Sequence, residues 1–238
     1  MSNFSKPELV RYNRQMMLPE IGLKGQGKLK SAKVLVVGAG GLGCPALQYL
    51  SAGGIGTIGI IDFDKVELHN LHRQILYTSE DIGKSKAITA AEKLKKQNEY
   101  IEFIVLDEML NENNASAIIS QFDVIVDGSD NFLTRYLVND TCVQLNKPIV
   151  YGSILKFEGQ LAVFNYKGSK NLRDLYPEPP NPEEVPNCDE NGVLGIVPGI
   201  IGSYMALQTV CVILEKIENA NQLQLFNFLT GNQIVLTF

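Results

Sequence analysis

Gly38, Gly40 and Gly43 stand in the spacing G-x-G-x-x-G, directly after the strand-forming run Val34 to Val37 and directly before a helical apolar pattern at Leu42, Ala46, Leu47 and Leu50. In that setting the first glycine permits a tight turn, the second lets a ligand approach the backbone, and the third lets helix and strand pack closely. The helix N-terminus behind them offers free N–H groups to a phosphate. A second apolar run, Ile58 to Ile61, follows the Gly54-Gly56 break and ends on Asp62 and Asp64, with Asp62 where a ribose hydroxyl is usually held. The chemistry these residues suit is nucleotide binding, and its commonest form is a dinucleotide cofactor.

Other chemistry-bearing residues lie where such a unit would deliver them. The stretch after Asp64, VELHNLHRQILYTSEDIGKSKA, has no clear period and carries Asn70, Arg73 and Lys86. Loops of this length inside a compact domain are uncommon unless functional, and this one leaves the carboxyl end of a strand, where doubly wound sheets bind ligands. Asp130 and Asn131 come just past another strand, Asp123 to Val126, and open a helix predicted over Phe132 to Leu145. Two readings fit them: a helix N-cap, or a carboxylate facing the ligand while Asp127 or Ser129 does the capping. Arg11 and Arg14 are three apart on a predicted amphipathic helix, Pro7 to Met17, and as residues alone read as a solvated charged face.

The elements that must position these groups alternate. Residues 24–33 read as a loop and short helix, then come a helix over Lys84 to Asn98, a strand over Ile101 to Leu106 and a helix over Asn111 to Gln121 opened by an Asn cap. Alternation of strand and helix predicts an α/β fold, a Rossmann-like doubly wound sheet that is mainly parallel with right-handed crossovers. Strands at Ile149 to Ser153 and Gly159 to Tyr166 lack an intervening helix and should pair antiparallel at the C-terminal end. Lys167 to Asn191, with Pro177, Pro179, Pro180, Pro182 and Pro186, reads as a crossing loop that is neither helix nor ladder. The helix Pro198 to Ile217, apolar nearly all round, should be buried, and Thr230-Gly231-Asn232 marks a hairpin between Leu223 to Phe228 and Gln233 to Phe238.

Composition narrows the class. A chain of 238 residues with 45% hydrophobic and 20% charged residues has the makings of one large α/β domain. The formal net charge of −5 argues against a broad nucleic-acid surface. No run reads as approaching the roughly 18 apolar residues of a membrane span, and the N-terminus has no apolar signal core, so no membrane partner and a cytoplasmic location are expected. Cys44, Cys142, Cys188 and Cys211 include no C-x-x-C pair, and His69 and His72 sit in one loop, so no structural metal site is expected from the protein alone.

Taken together, R-Y-N-R-Q at 11–15, G-A-G-G-L-G-C at 38–44, D-F-D at 62–64, N-L-H-R-Q at 70–74, G-K-S-K at 83–86, D-N at 130–131 and E-G-Q at 158–160 resemble the ThiF/MoeB/HesA family, bacterial relatives of ubiquitin-activating enzymes. The resemblance runs from Arg11 to the C-terminal hairpin. It implies a homodimer, a single adenylation domain whose nucleotide-binding half covers about 30–150 and whose carrier-binding half covers about 151–238. It also implies MgATP-dependent adenylation of the C-terminal glycine of a small ubiquitin-fold sulfur carrier, ThiS-like or MoaD-like, in thiamine or molybdopterin biosynthesis. A sulfur donor then makes the thiocarboxylate. By resemblance, Gly38, Gly40, Gly41 and Gly43 close on the nucleotide, Asp62 and Asp64 lie at its ribose end, and His69, Asn70, Leu71 and His72 line it. Arg73 and Lys86 then meet the phosphates, Asp130 holds Mg²⁺ beside Asn131, and Arg14 reaches the ATP of the neighbouring subunit.

Two features depart from the family or stay open. Most members carry paired C-x-x-C motifs for a structural zinc; here the first place reads Asn171-Leu172-Arg173-Asp174 and the chain ends at Phe238 before the second, so no zinc is expected and other contacts should hold the crossing loop. Cys188 matches the cysteine by which ThiF-type members hold the carrier through sulfur, while Asp189 and Glu190 beside it disfavour the thiolate; the other reading is an incidental exposed cysteine. An NAD-dependent oxidoreductase and a non-catalytic nucleotide-binding relative remain the competing classes. The first would leave Arg73, Lys86 and Asp130 without a role.

Overall fold

The computed structural model describes residues 4–180, 192–218 and 220–238. Among these, eight strands form one sheet: β1 (Lys33–Val37), β2 (Thr57–Ile61), β3 (Glu102–Leu106), β4 (Val124–Asp127), β5 (Ile149–Leu155), β6 (Glu158–Phe164), β7 (Gln222–Asn227) and β8 (Asn232–Thr237), in the order β3-β2-β1-β4-β5-β6-β7-β8. The five strands from β3 to β5 run parallel. From β5 onward each pair is antiparallel. The sheet is the doubly wound α/β architecture that the strand–helix alternation implies.

Strand periodicity divides the core into two layers. Val34 and Val36 of β1 face one side with Ile58, Ile60, Val124 and Val126, where α3 (Gly43–Gly53), α4 (Lys86–Gln97) and a late helix over Ile196–Ile213 cover them. Leu35 and Val37 face the other side with Ile125, under α5 (Ala115–Ile119) and α6 (Phe132–Gln144). Each side chain of this kind withdrawn from water contributes about 1.5–3 kcal/mol. Parallel strands buried on both faces therefore read as continuous apolar runs, as β1 and β2 do.

The N-terminal helices dock at one end of this core. In α1 (Lys6–Met16), Ser5 and Glu8 form a reciprocal capping box, and Tyr12 is buried. The Asn98 amide donates to Tyr12 Oη at 2.9 Å and to Ser51 O at 2.7 Å, and Arg11 donates to Gln97 O at 2.6 Å. From α2 (Gly22–Ser31), the buried Gln26 donates to Gly53 O at 3.0 Å and accepts from Gln15. All these anchors are the carboxyl-terminal ends of α3 and α4.

Several elements differ from their predicted form. The helix expected from Asn111 is only Ala115–Ile119, because Asn111 and Asn114 bond each other's neighbourhood in a turn: Asn114 Oδ1 accepts from Asn111 N at 2.8 Å. The late helix is not wholly buried; Val197, Ile201, Met205, Ala206, Thr209 and Val212 face the core, whereas Ile196, Ile200 and Leu207 are exposed. Its 18 residues also meet the length and apolarity of a membrane span, contrary to the sequence reading, but its inner face packs on α3, β5 and β6.

The crossing segment, predicted free of helix, opens with one helical turn, α7 (Leu172–Leu175); the late helix is therefore α8. Asn171 and Asp174 form a capping box. One face of α6 holds the turn. Asn139 Oδ1 accepts from Leu172 N at 2.9 Å, Asp140 takes Arg173 bidentately with both bonds at 2.8 Å, and Tyr136 Oη reaches Tyr176 O and Glu178 O. Asn171, Leu172, Arg173 and Asp174 occupy the place of the family's first cysteine pair, and these contacts hold the described start of the crossing segment; residues 181–191 of it lie outside the described residues.

Arg173 lowers the Asp140 carboxyl below its ordinary value, chiefly through that hydrogen-bonded pair. The stabilisation is thus present above the unfolded-state carboxylate range and lost as pH falls through the depressed value. Both groups are part-exposed, so Arg173→Ala should leave global stability nearly unchanged. Amide exchange at Leu172 and Tyr176 should quicken at neutral pH, and the wild type should lose its advantage over the variant in acid. Unchanged exchange at those two amides would show that α7 is held without the ion pair.

Candidate active site

β1 ends where the chain must reverse into α3, and the reversal depends on absent side chains. A Cβ on Gly43 would collide with Gly38 O, and one on Gly38, at φ +86°, would lie 2.9 Å from Gly128 O. Strand, turn and helix therefore pack backbone to backbone. The turn is tied from three sides. Asp62 Oδ2 accepts from Ala39 N at 2.7 Å and Oδ1 from Asp64 N at 2.8 Å; Tyr77 Oη donates to Ala39 O at 2.9 Å, and the Cys44 thiol also points at Ala39 O.

Burial pushes the Asp62 carboxyl above its ordinary value despite those backbone donors and the charge of Lys86. Burial likewise pushes the Cys44 thiol up to about 12, leaving it a packed, protonated group. Lys86, itself buried, pairs with Asp64 at 2.8 Å. Tyr77 Oη, bonded to Ala39 O, also lies 3.2 Å from Lys86 O, which places the residue beside the glycine turn.

The polar stretch after β2 folds over the turn. A 3₁₀ turn, Leu68–Asn70, buries Asn70, whose carbonyl accepts from both Arg73 N and Gln74 N at 3.0 Å. Arg73 Cδ lies 3.6 Å from where a Gly41 Cβ would stand, and Pro198 of α8 lies 3.2 Å from the same point. Gln74 Nε2 lies 3.7 Å from the corresponding point on Gly40. His72 turns Nδ1 to His69 O at 2.9 Å while its own carbonyl abuts Gly195; His69 is exposed and 3.1 Å from Glu67. The histidines shape and rim the loop.

The opposite wall is the end of β4. Gly128 N donates to Val37 O at 2.9 Å, bringing the loop Asp127 to Asn131 against the glycine turn. Asn131, not Asp127 or Ser129, caps α6, accepting from Thr134 N at 2.9 Å. Asp127 is otherwise engaged: Oδ1 accepts from Ser129 N at 3.1 Å and from its hydroxyl at 2.6 Å, and Oδ2 is 3.9 Å from Arg135. Arg135, buried, donates to Ser129 O at 2.6 Å and Gly152 O at 2.8 Å, its guanidinium over the Tyr151 ring. Asp130 is left exposed beyond this clamp, with only Asn131 donating to it among the described residues, at 3.4 Å.

Thus Gly38, Gly40, Gly41, Gly43, Asp62, Asp64, Asn70, Arg73, Lys86 and the Asp130 loop converge at the carboxyl ends of β1, β2 and β4. Arg14 does not join them. It sits on α1 at the far end of α3, an 11-residue helix of roughly 16 Å, and with Val10 it lies opposite the buried Glu8 and Tyr12. Cys188 lies outside the described residues. Residue-by-residue reading passed over Gln74, Tyr77 and Arg135; only Arg135, a lone cation inside an apolar helix pattern, left a signal.

A ThiF family model matches residues 12–237. The chain is 50% identical over 215 residues to "Adenylyltransferase and sulfurtransferase MOCS3" of Anopheles gambiae, covering 90% of this chain and 49% of that one. It is 48% identical over 216 residues to "Sulfur carrier protein adenylyltransferase" of Thermus thermophilus, covering 89% and 80%. The chain spans about half the length of the MOCS3 relatives it matches. Among solved structures, PaaA superposes with a TM-score of 0.84 at 20% identity over 100% of this chain and 76% of that one. Escherichia coli MccB with ATP gives 0.80 at 22% over 95% and 71%. At those identities the structural likeness concerns the fold.

Removing Arg135 leaves Asp127 buried without its counter-charge. Arg135→Met should therefore cost about 3–5 kcal/mol, and the double variant with Asp127→Asn distinctly less. Chemical denaturation of the single and double variants measures this; equal losses would mean that the pair is not energetically coupled.

Proposed function

The chain belongs to the ThiF family, and from that premise we propose that it is an ATP-dependent adenylyltransferase acting in the cytoplasm on the C-terminal glycine of a ubiquitin-fold sulfur carrier. The observation that carries the reading is the convergence of two cations, Arg73 and Lys86, on a glycine turn whose Asp62 stands at the ribose position. A dinucleotide site has no need of that cation pair. The relatives' names point to sulfur carriers, and the ThiS-like or MoaD-like identity of the carrier fits either thiamine or molybdopterin biosynthesis.

The chemistry then follows from charge. A carboxylate oxygen attacks the α-phosphorus, the bond to the β-phosphate breaks, and pyrophosphate leaves. The carboxylate is already ionised at neutral pH, so no general base is required. Anionic oxygen approaches anionic phosphate, which Arg73 and Lys86 offset from fixed positions. Lys86 must exchange part of its pairing with Asp64 for phosphate. Asp62, both oxygens already held by backbone N–H groups, keeps lone pairs for the ribose and is oriented by those same bonds.

Asp130 suits Mg²⁺: a carboxylate exposed at the mouth of the sheet, on a loop held rigid by Arg135, is a hard oxygen ligand of the sort that shares this ion with substrate phosphates. The ion would supply charge neutralisation at the phosphates. Arg14 supports a homodimer with shared sites. It faces away from its own subunit, flanked by the exposed Val10 and Met17, so the phosphates it serves are a neighbour's. The exposed apolar residues Phe157, Leu229, Ile234, Val235 and Leu236 at the antiparallel end suit a carrier surface. A sulfur donor completes the sequence, with Cys188 as the candidate for a covalent link.

Asp130→Ala should reduce carrier-dependent ATP–pyrophosphate exchange roughly 10²–10³-fold while stability stays within about 0.5 kcal/mol, since an exposed loop carboxylate packs little. Normal exchange by the folded variant would remove Asp130 from the metal. Mixing inactive Arg14→Ala and Arg73→Ala subunits should restore roughly a quarter of wild-type activity, because half the dimers are hybrid and one of their two sites regains both arginines. Persistent inactivity in a verified heterodimer would overturn action across the interface.

A further inference from the structure

Two glutamines are buried among the described residues, and they differ in one respect. Gln26 is 0% exposed and both ends of its carboxamide are bonded, to Gln15 and to Gly53 O. Gln74 is 4% exposed, yet among the described residues its Oε1, shut from solvent, has no hydrogen-bond partner and its Nε2 makes no hydrogen bond. A buried amide left unmatched is costly, and such groups are scarce in native proteins. Two other orphaned atoms among the described residues, Ser51 Oγ and Tyr166 Oη, lie at α3's carboxyl half and after β6, away from the glycine turn. Gln74 alone among the three lies against that turn, its Nε2 3.7 Å from the place a Gly40 Cβ would take, and it directly follows Arg73.

We propose that Gln74 is a nucleotide ligand, its carboxamide a neutral donor to a phosphate oxygen seated on the Gly40–Gly41 turn between the charges of Arg73 and Lys86. The inference rests on the adenylyltransferase reading. Its logic is that the Nε2 hydrogens, beside the Gly40 turn, have no acceptor among the described residues and a phosphate oxygen supplies one; Oε1, itself an acceptor, takes no bond from the phosphate. The backbone fixes the side chain for this: Gln74 N donates to Asn70 O and Tyr77 N to Gln74 O, so the residue is locked in the loop rather than free to swing to solvent. A neutral donor also adds to the cradle without drawing a counter-ion in the empty state, which Lys86 does with Asp64.

The test compares ligands with and without phosphate on the nucleotide-free full chain. Dissociation constants for ATP and for adenosine are measured by calorimetry or NMR titration on wild type, Gln74→Met and Gln74→Glu, together with melting temperatures without ligand. Gln74→Met, which keeps the length and removes the polar atoms, should weaken ATP about tenfold, leave adenosine unchanged and not lower the ligand-free melting temperature. Gln74→Glu should weaken ATP further, because a carboxylate opposes the phosphates. Equal weakening of ATP and adenosine, or no weakening of either, overturns the proposal and leaves Gln74 a packing residue. Wild type that binds no ATP would instead sink the adenylyltransferase reading on which it rests.

Discussion

The whole site depends on a backbone-to-backbone approach. Gly43 can stand over Gly38 O only because it has no Cβ, and Gly128 meets the same turn from β4. That contact lets three strand ends come close enough for side chains from β2, from the loop after it and from the β4 loop to surround one small volume. The Asp62 carboxylate then converts steric permission into a fixed shape by accepting from Ala39 N. A charge that would hold a ribose is thereby also a structural ligand of the turn.

The same closure divides labour along the sheet. At the carboxyl ends the chain exposes cation, carboxylate and backbone donors; at the opposite ends of α3 and α4 it buries polar groups of α1 and α2 in matched pairs. Asn98, Gln26 and Tyr12 are satisfied there, whereas Gln74 at the glycine turn is not. The far end is not wholly matched, since Ser51 Oγ there also lacks a partner among the described residues.

The helix α6 links the site to the crossing segment. Its first turn follows Asp130, its Arg135 clamps Ser129 O and Gly152 O, and its next turns hold α7 through Tyr136, Asn139 and Asp140. A bidentate ion pair and a capping box occupy the place where most relatives by resemblance carry a cysteine pair. Such contacts are weaker than metal bonds and depend on pH, but they need no metal to form.

How much of this was legible beforehand follows from the range of the interactions involved. Strand and helix order, the glycine turn, Asp62 at a strand end and the sheet's mixed direction are written in local periodicity and spacing, because each is decided within a few residues of chain. Motif order was enough to group Arg73, Lys86 and Asp130. The course of Asn111 to Asn114, the turn at Leu172, the exposed face of α8 and the choice of Asn131 as cap were not legible, since side-chain bonding or packing partners far along the chain decided them. The pairing of Arg135 with Asp127 and the unmatched amide of Gln74 belong to tertiary structure alone: whether a polar group is matched is fixed only when separate segments come to share one interior.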